Sequence, residues 1–186
     1  MFALQSAPAG TKSERYSELL EQARALLADE RDRTANAANL AALIFHSLPE
    51  LNWAGFYFLK GGELVLGPFQ GKPACVRIAV GRGVCGTAAR DRQTIVVPDV
   101  HAFPGHIACD SASRSEIVIP LCRSRVGGNP GLDSRLHGND VVHRRDDTLI
   151  GVLDLDSPLK NRFDAEDARG LEALVALFIE STDLGG

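Results

Sequence analysis

The sequence lacks both an excess of positive charge and a long apolar run, and these two absences narrow its range of functions. Twenty Lys and Arg residues are outnumbered by 24 Asp and Glu, which gives a net charge of −4. A nucleic-acid partner is therefore not expected. No window approaches the roughly 20 apolar residues of a membrane-spanning helix. We expect a protein that binds neither nucleic acid nor a membrane.

A secretory signal is also not expected. The first twelve residues, MFALQSAPAGTK, carry no positive charge ahead of their apolar residues, and Gln5 and Ser6 interrupt the apolar stretch. The predicted compartment is therefore the cytoplasm. In that compartment the four cysteines are expected to serve transient redox chemistry rather than permanent crosslinks.

The sequence does contain hydrophobic periodicity, and its period changes along the chain. Helical spacing follows the capping-box pair Thr11 and Glu14, recurs from about Ala37 to Leu48, and returns after Phe163-Asp164. Between these helices the pattern predicts a short helix around Thr87–Asp91 and six strands, namely WAGFYFLK, ELVLGPF, CVRIAV, TIVV, EIVIPLC and TLIGVLDLD. This order predicts one α+β domain over residues 1–186, with a mainly antiparallel sheet and the N- and C-terminal helices packed on one face.

One segment departs from this pattern. Residues 123–147 contain four glycines, a proline and nine charged residues, without a sustained apolar period. Such a composition is typical of disorder, and loops of this length are uncommon inside compact domains. We predict a flexible insertion at the tip of a hairpin between the last two strands.

Two motifs invite a binding function that their context does not favour. Gly81–Gly86 matches GxGxxG after a strand, but the helix that follows has only two turns, too few for a dinucleotide-binding crossover. His101, His106, Cys109 and Asp110 lie within ten residues, yet their spacing fits no common zinc pattern and no second Cys/His pair completes a site. We expect neither a dinucleotide nor a metal.

The four cysteines lie in different surroundings. Cys122 borders the apolar EIVIPL run and fits a buried hydrophobic role, and Cys85 lies in a turn that starts a helix. Cys109 lies in a polar loop, HIACDSAS, where packing gives no reason for a thiol. Cys75 begins a strand after a Gly-Lys-Pro turn, so its thiol is also expected to be accessible. Two accessible thiols indicate an attacking and a resolving pair.

Three carboxylates interrupt otherwise apolar strands: Glu116, Asp154 and Asp156. Asp154 and Asp156 are two residues apart, so they project to the same face of the sheet. Like charges on one face are costly unless a cation or a proton intervenes. The pattern is compatible with a solvated strand end, or with a pocket that holds a ligand ammonium or keeps one carboxyl protonated.

Three stretches together resemble the free methionine-(R)-sulfoxide reductases, which are stand-alone GAF domains: LGPFQGKPACVRIAVGRGVCGTAA, PDVHAFPGHIACDSASRSEIVIPL and LIGVLDLDSPLKNRFDAED. The resemblance covers roughly residues 14 to 182 and is interrupted by 123–147. It implies a GAF-like fold, with Cys109 as the nucleophile and Cys75 as the resolving cysteine. Cys85 matches a further family cysteine of secondary role at most.

The same resemblance assigns the ligand contacts. Glu116, Asp154 and Asp156 match residues that grip the substrate, with Glu116 or Asp156 as the acid that protonates the departing oxygen. Trp53 and Tyr57 match an aromatic wall around the methionine methyl group. The resemblance further implies a thioredoxin-type electron donor, no bound cofactor and a homodimer. The alternative function is a GAF sensory module that binds a small ligand without catalysis.

Overall fold

The computed structural model of the chain describes residues 10–105, 111–123 and 148–184. Its helices are α1 (Lys12–Leu27), α2 (Arg33–Ser47), α3 (Gly83–Asp91) and α4 (Ala165–Ser181), with a short 3₁₀ turn at Val100–Ala102. Its strands are β1 (Trp53–Lys60), β2 (Glu63–Gly71), β3 (Arg77–Ala79), β4 (Ile95–Val97), β5 (Ser115–Arg123) and β6 (Thr148–Ser157). Within these residues, no helix is both long enough and apolar enough to cross a bilayer.

The six strands form one antiparallel sheet in the order β3-β2-β1-β6-β5-β4. The predicted α+β architecture is confirmed. The hairpin between β1 and β2 turns at Gly61 and Gly62, whose φ angles of 59° and 86° require residues that tolerate the left-handed region. The two strands that flank α3 lie at opposite edges of the sheet, so this segment is not the βαβ crossover of a dinucleotide site.

One face of the sheet carries the main hydrophobic core. Helices α1, α2 and α4 pack there, with Leu19, Leu40 and Phe178 among their fully buried side chains. The predicted packing of the N- and C-terminal helices on one face is confirmed. A buried polar contact joins these helices, because Asp167 of α4 accepts hydrogen bonds from the Tyr16 hydroxyl at 2.9 Å and from Arg162 at 3.1 Å.

The other face of the sheet carries a second, smaller apolar cluster beneath α3. It contains Trp53 and Tyr57 of β1, Val84 and Cys85 of α3, and Val118 of β5. Helix α3 packs closely against the end of β3 at Gly86. A Cβ at this position would stand 2.4 Å from the Ala79 carbonyl oxygen, so a larger residue does not fit there. A hollow partly open to solvent lies on this face.

The strands that flank the predicted insertion stay paired to their last described residues. Residue pairs run from Ser115 opposite Ser157 to Arg123 opposite Thr148, with one irregularity beside Cys122. Residues 124–147, which make up nearly all of the predicted flexible segment, lie outside the described residues. Their flexibility therefore stays a prediction, while the register of β5 against β6 places the pocket residues on a common face.

Candidate active site

A hollow of about 550 Å³, partly open to solvent, lies between the sheet and the start of α3. Five of the residues predicted to contact a ligand line it: Trp53, Tyr57, Glu116, Asp154 and Asp156. The structure thus brings together every predicted ligand-contacting side chain.

The strand register explains why these side chains meet. Trp53 of β1 and Glu116 of β5 are both paired with Asp156 of β6, one on each side. Directly paired residues in an antiparallel sheet project to the same face, so the three form one row across the sheet. Asp154 lies two residues along β6 and joins the same face, with Gly55 beside it in place of a side chain.

Two aromatic rings form the apolar wall of the hollow. The ring centroids of Trp53 and Tyr57 are 5.9 Å apart, and Trp53 also stacks on Phe69 at 5.4 Å. The indole N–H donates to the Lys72 carbonyl at 3.1 Å, which satisfies its one polar group. Trp53 lies across Gly55, since a Cβ there would stand 2.6 Å from the tip of the indole.

Two acidic residues of the hollow are buried, and the pKa values of both are raised. Glu116 and Asp154 are each 6% exposed. Burial raises the pKa of Glu116 well above its ordinary value, and the charges of Asp154 and Asp156 raise it further. Burial also raises the pKa of Asp154 to about 7, against hydrogen bonds to Cys85 and Glu116 that act in the opposite direction. This pair therefore holds a proton at neutral pH.

The third acidic residue differs in its exposure. Asp156 is only half-buried, and its charge acts on the pKa values of both Glu116 and Tyr57. Oδ1 of Asp154, in contrast, is buried and has no hydrogen-bond partner within the part of the chain that the structure describes. A buried carboxylate oxygen without a donor is costly in a folded protein, so it is a natural contact for a bound cation or N–H group.

Cys85 belongs to this cluster, which sequence reasoning left undecided. Its Sγ lies 3.8 Å from Oε1 of Glu116, and the residue is 4% exposed. Burial raises the pKa of the Cys85 thiol well above its ordinary value, and the neighbouring charges of Asp154 and Glu116 add to that rise. Cys85 is thus a neutral thiol, which makes it a poor nucleophile.

The same three residues could in principle present ligands to a small cation. One atom each from Cys85, Glu116 and Asp154 lie within 4.8 Å of one another. Of the histidine–cysteine group that the sequence suggested as a metal site, His101 contacts the Arg114 guanidinium at 2.9 Å. His106, Cys109 and Asp110 lie outside the described residues.

Of the two cysteines predicted to act as a pair, the structure describes Cys75 but not Cys109. Cys75 is half-buried just before β3 and is disulfide-bonded, whereas Cys85 and Cys122 are not in a disulfide. Cys109 lies outside the described residues, so its predicted position beside the hollow stays a prediction. The neighbouring residue Ala74 lines the hollow, which places Cys75 next to it in the chain.

Three polar residues of the hollow were not predicted: Lys72, Arg82 and Ser113. Ser113 accepts a hydrogen bond from the Asn52 amide at 3.0 Å. Arg82 lies between two glycines in a turn. An isolated basic residue in such a turn was the one sequence feature that could have indicated its place in the hollow. Lys72 and Ser113 lie in polar segments whose patterns do not separate pocket residues from loop residues.

Comparison with known proteins identifies the family of the chain. The family model described as GAF domain matches residues 14–180. Protein YtsP of Bacillus subtilis (strain 168) is 53% identical over 164 residues, which cover 87% of each chain. The free methionine-R-sulfoxide reductase of Escherichia coli (strain K12) is 49% identical over 165 residues, covering 89% of this chain and 87% of that protein.

A solved structure is also similar. The free methionine-R-sulfoxide reductase of Neisseria meningitidis, determined in complex with its substrate, has 42% sequence identity and a TM-score of 0.80. The match covers 97% of this chain and 95% of that chain. The similarity therefore extends over the whole fold, including the strands and helix that enclose the hollow.

Proposed function

The chain belongs to the GAF domain family, and from that premise we propose that it reduces free methionine-(R)-sulfoxide to methionine. The observation that carries the proposal is the hollow itself, in which an aromatic wall of Trp53 and Tyr57 faces a proton-holding pair of buried carboxyls. Relatives at 49% and 38% identity bear the name of this activity.

The chemistry needs a sulfur nucleophile and a proton. In the proposed reaction the Cys109 thiolate attacks the sulfoxide sulfur, and the sulfoxide oxygen is transferred to Cys109. The substrate sulfur is reduced to a thioether, and the cysteine is oxidised to a sulfenic acid. The developing negative charge on the oxygen requires a proton, which the Glu116–Asp154 pair or Asp156 would supply.

The second half of the proposed reaction restores the cysteine. The Cys75 thiol attacks the sulfenic sulfur, a disulfide forms, and the hydroxyl leaves as water with the thiol proton. Cys75 is disulfide-bonded while Cys85 and Cys122 are not, which supports Cys75 in this role. The partner that we propose is the remaining cysteine, Cys109. Exchange with a thioredoxin-type dithiol then returns both thiols, without a bound cofactor.

The pocket also supports a preference for the free amino acid. The unpartnered buried oxygen of Asp154 suits the α-ammonium of the substrate, which a peptide-bound methionine lacks. The methylthio end would pack against Trp53 and Tyr57, where sulfur–aromatic contact is favourable. A homodimer formed through the N-terminal helices is part of the same proposal and awaits a measurement of mass in solution.

A turnover assay with defined variants tests the proposal. The purified protein with thioredoxin, thioredoxin reductase and NADPH is expected to consume free methionine-(R)-sulfoxide and not its S epimer. Cys109→Ser is expected to abolish turnover, and Cys75→Ser to allow about one turnover without recycling by thioredoxin. Cys122→Ser is the matched control and is expected to keep the normal rate.

The alternatives give different results in the same assay. A sensory GAF module would bind the ligand without consuming it, and an inactive relative would do neither. Normal turnover by Cys109→Ser would show that the nucleophile is another residue. Full steady-state activity of Cys75→Ser would remove it as the resolving cysteine.

A further inference from the structure

Three potential metal ligands from three different elements meet in the hollow. Cys85 lies in the first turn of α3, Glu116 on β5 and Asp154 on β6, and all three line the hollow. One ligand atom from each lies within 4.8 Å of the other two, and the Cys85 Sγ is 3.8 Å from Oε1 of Glu116. We call these three residues the thiol–carboxyl cluster. The reaction proposed above uses the carboxyls of this cluster but gives its thiol no role.

The spacing of these atoms is close to that of a tetrahedral ion site. Zinc bonds thiolate sulfur at about 2.3 Å and carboxylate oxygen at about 2.0–2.2 Å, so two ligand atoms of one zinc ion are about 3.5 Å apart. The Sγ–Oε1 distance in the cluster exceeds this value by a few tenths of an ångström. Rotation of the two carboxyl groups would bring the remaining ligand atoms to the same spacing.

A buried acceptor in the cluster indicates a ligand independently of the spacing. Oδ1 of Asp154 has no hydrogen-bond partner within the described residues, although the residue is only 6% exposed. Buried polar atoms in native structures are nearly always satisfied, and an unsatisfied one commonly marks the place of a water or an ion. Asp154 is a diagonal neighbour of Glu116 on the β5–β6 ladder, so this oxygen lies on the same face of the sheet as the Glu116 carboxyl.

The donor atoms of the cluster select among cations. Thiolate favours zinc and similar ions, whereas magnesium and calcium take oxygen ligands. Zinc sites with three protein ligands keep a fourth position for water or another small ligand, and the hollow is partly open to solvent. Binding of a divalent ion and retention of protons are alternative ways to relieve the negative charge of buried acids. The cluster is therefore suited to exchange its protons for zinc.

We propose that the thiol–carboxyl cluster binds zinc through the Cys85 thiolate and one carboxylate oxygen each of Glu116 and Asp154, and that the bound ion excludes substrate from the hollow. The displaced protons pass to solvent, and no electron is transferred. The binding of zinc is independent of the proposed function. The exclusion of substrate rests on the proposed function, because the substrate ammonium is assigned to the same Asp154 oxygen.

Cobalt serves as a visible probe of this site, because a thiolate bound to Co²⁺ gives a charge-transfer band in the near ultraviolet. The full chain is used with Cys75 in its disulfide and without added thiol, so that Cys85 and Cys122 are the thiols of described residues that can bind. Titration with Co²⁺ is expected to produce the band, and Zn²⁺ is expected to remove it by displacement. Mg²⁺ is expected not to displace cobalt, because it disfavours thiolate.

Substitutions distinguish the ligands from their neighbours. Cys85→Ser is expected to abolish the charge-transfer band, and Cys122→Ser, the matched control, is expected to keep it. Asp154→Asn is expected to keep the band at saturating Co²⁺ but to raise the Kd at least about tenfold, since even partners behind the ligands contribute that much to metal affinity. Circular dichroism establishes that each variant is folded. If Cys85→Ser does not fold, the titration of Asp154→Asn decides between the cluster and another thiol.

The exclusion of substrate needs a separate measurement. Trp53 is the single tryptophan of the sequence and lines the hollow, so its fluorescence reports the binding of free methionine-(R)-sulfoxide without turnover. Saturating Zn²⁺ is expected to raise the substrate Kd at least about tenfold in the wild-type protein. In Cys85→Ser the same Zn²⁺ concentration is expected to change the substrate Kd less than about twofold.

The outcomes separate the three claims. Absence of the band in the wild-type protein, its persistence in Cys85→Ser, or an unchanged Kd for Co²⁺ in Asp154→Asn would overturn the zinc site. Cys85-dependent binding of zinc with an unchanged substrate Kd would support the site and overturn the exclusion of substrate. Zinc binding by a protein that never consumes the sulfoxide would support the site and overturn the reductase function.

Discussion

At the scale of single residues, the main feature is the accumulation of acid where the sheet is most protected from water. Glu116 and Asp154 are both buried beside a buried thiol. An isolated buried charge is costly, and a protein commonly relieves that cost by keeping the group protonated. The site therefore retains a proton at neutral pH, and the fold becomes less stable where that proton is lost.

This cost predicts how stability changes with pH. The pKa of Asp154 is raised in the folded chain to about 7, above its value in the unfolded chain. Its stabilising contribution is complete below the unfolded pKa and is lost as the pH rises through about 7. At pH 8, Asp154→Asn is therefore expected to have a free energy of unfolding roughly 1–4 kcal/mol higher than that of the wild type, and to unfold at a higher urea concentration. Its turnover is expected to fall at least tenfold.

The measurement is urea unfolding at pH 5 and pH 8, followed by circular dichroism. The gain in stability is expected at pH 8 and is expected to disappear at pH 5. Glu18→Gln, an exposed carboxyl on α1, serves as the control and should show no such difference. A variant Asp154→Asn that is less stable than the wild type at both pH values would contradict the account of the retained proton.

At the scale of elements, β1 accommodates the Trp53 indole because Gly55, two residues along the strand, has no side chain. A Cβ at Gly55 would lie 2.4 Å from the Phe69 Cβ and 2.6 Å from the Trp53 indole. Gly55→Ala is therefore expected to displace Trp53, to shift its fluorescence maximum and to raise the Kd for the substrate. The expected loss of stability is about 1–3 kcal/mol, typical of overpacking.

The turn of the same hairpin supplies a matched control. Gly62 has a φ of 86° and open space around its Cβ position, so Gly62→Ala is expected to cost about 1 kcal/mol of backbone strain. It is expected to leave the Trp53 emission and the Kd unchanged. If Gly62→Ala altered binding as much as Gly55→Ala, the effect at Gly55 would reflect the hairpin as a whole rather than the indole.

The elements also show where sequence reasoning was sufficient. The alternation of apolar and acidic residues in β6 predicted that Asp154 and Asp156 project to the same face of the sheet, because successive side chains of a strand point to opposite faces. The predicted start of α2 at Ala37 was wrong by four residues, since its first turn is polar and Asp32 caps it through the N–H groups of Thr34 and Ala35. Hydrophobic periodicity does not detect a polar first turn.

The predictions around α3 missed more. The helix was predicted from Thr87 and in fact begins at Gly83, because glycines are poor helix formers and only the packed fold explains them. Gly86 is required by the close approach of the Ala79 carbonyl. The predicted strand CVRIAV is reduced to Arg77–Ala79. The sequence did not indicate that Arg82 lines the hollow for the same reason, because its position depends on where this helix lies over the sheet.

At the scale of the whole molecule, the described ends of the segment 123–147 lie at the far end of the β5–β6 ladder from the acidic residues. Arg123 and Thr148 are paired at the end of the β5–β6 ladder. Glu116 lies seven residues further along β5, or about 23 Å by the rise of a strand. A change of loop length at that end is expected to cost little, since loop-closure entropy grows slowly with length.

Two measurements check this expectation. Limited trypsin digestion is expected to cut first within 123–147, which contains several arginines. Replacement of residues 124–147 by Asn-Gly is expected to leave kcat/KM within about twofold and to keep or slightly raise the free energy of unfolding. An initial cut in a described helix, or a shortened variant without activity, would show that the segment contributes to the fold or to the site.

The division of the sheet into two faces has a consequence for how such a scaffold changes over time. The helical layer of α1, α2 and α4 and the hollow beneath α3 share the strands but few side chains. Substitutions that alter ligand choice can therefore accumulate on one surface of the strands without compensating changes in the layer that holds the molecule together.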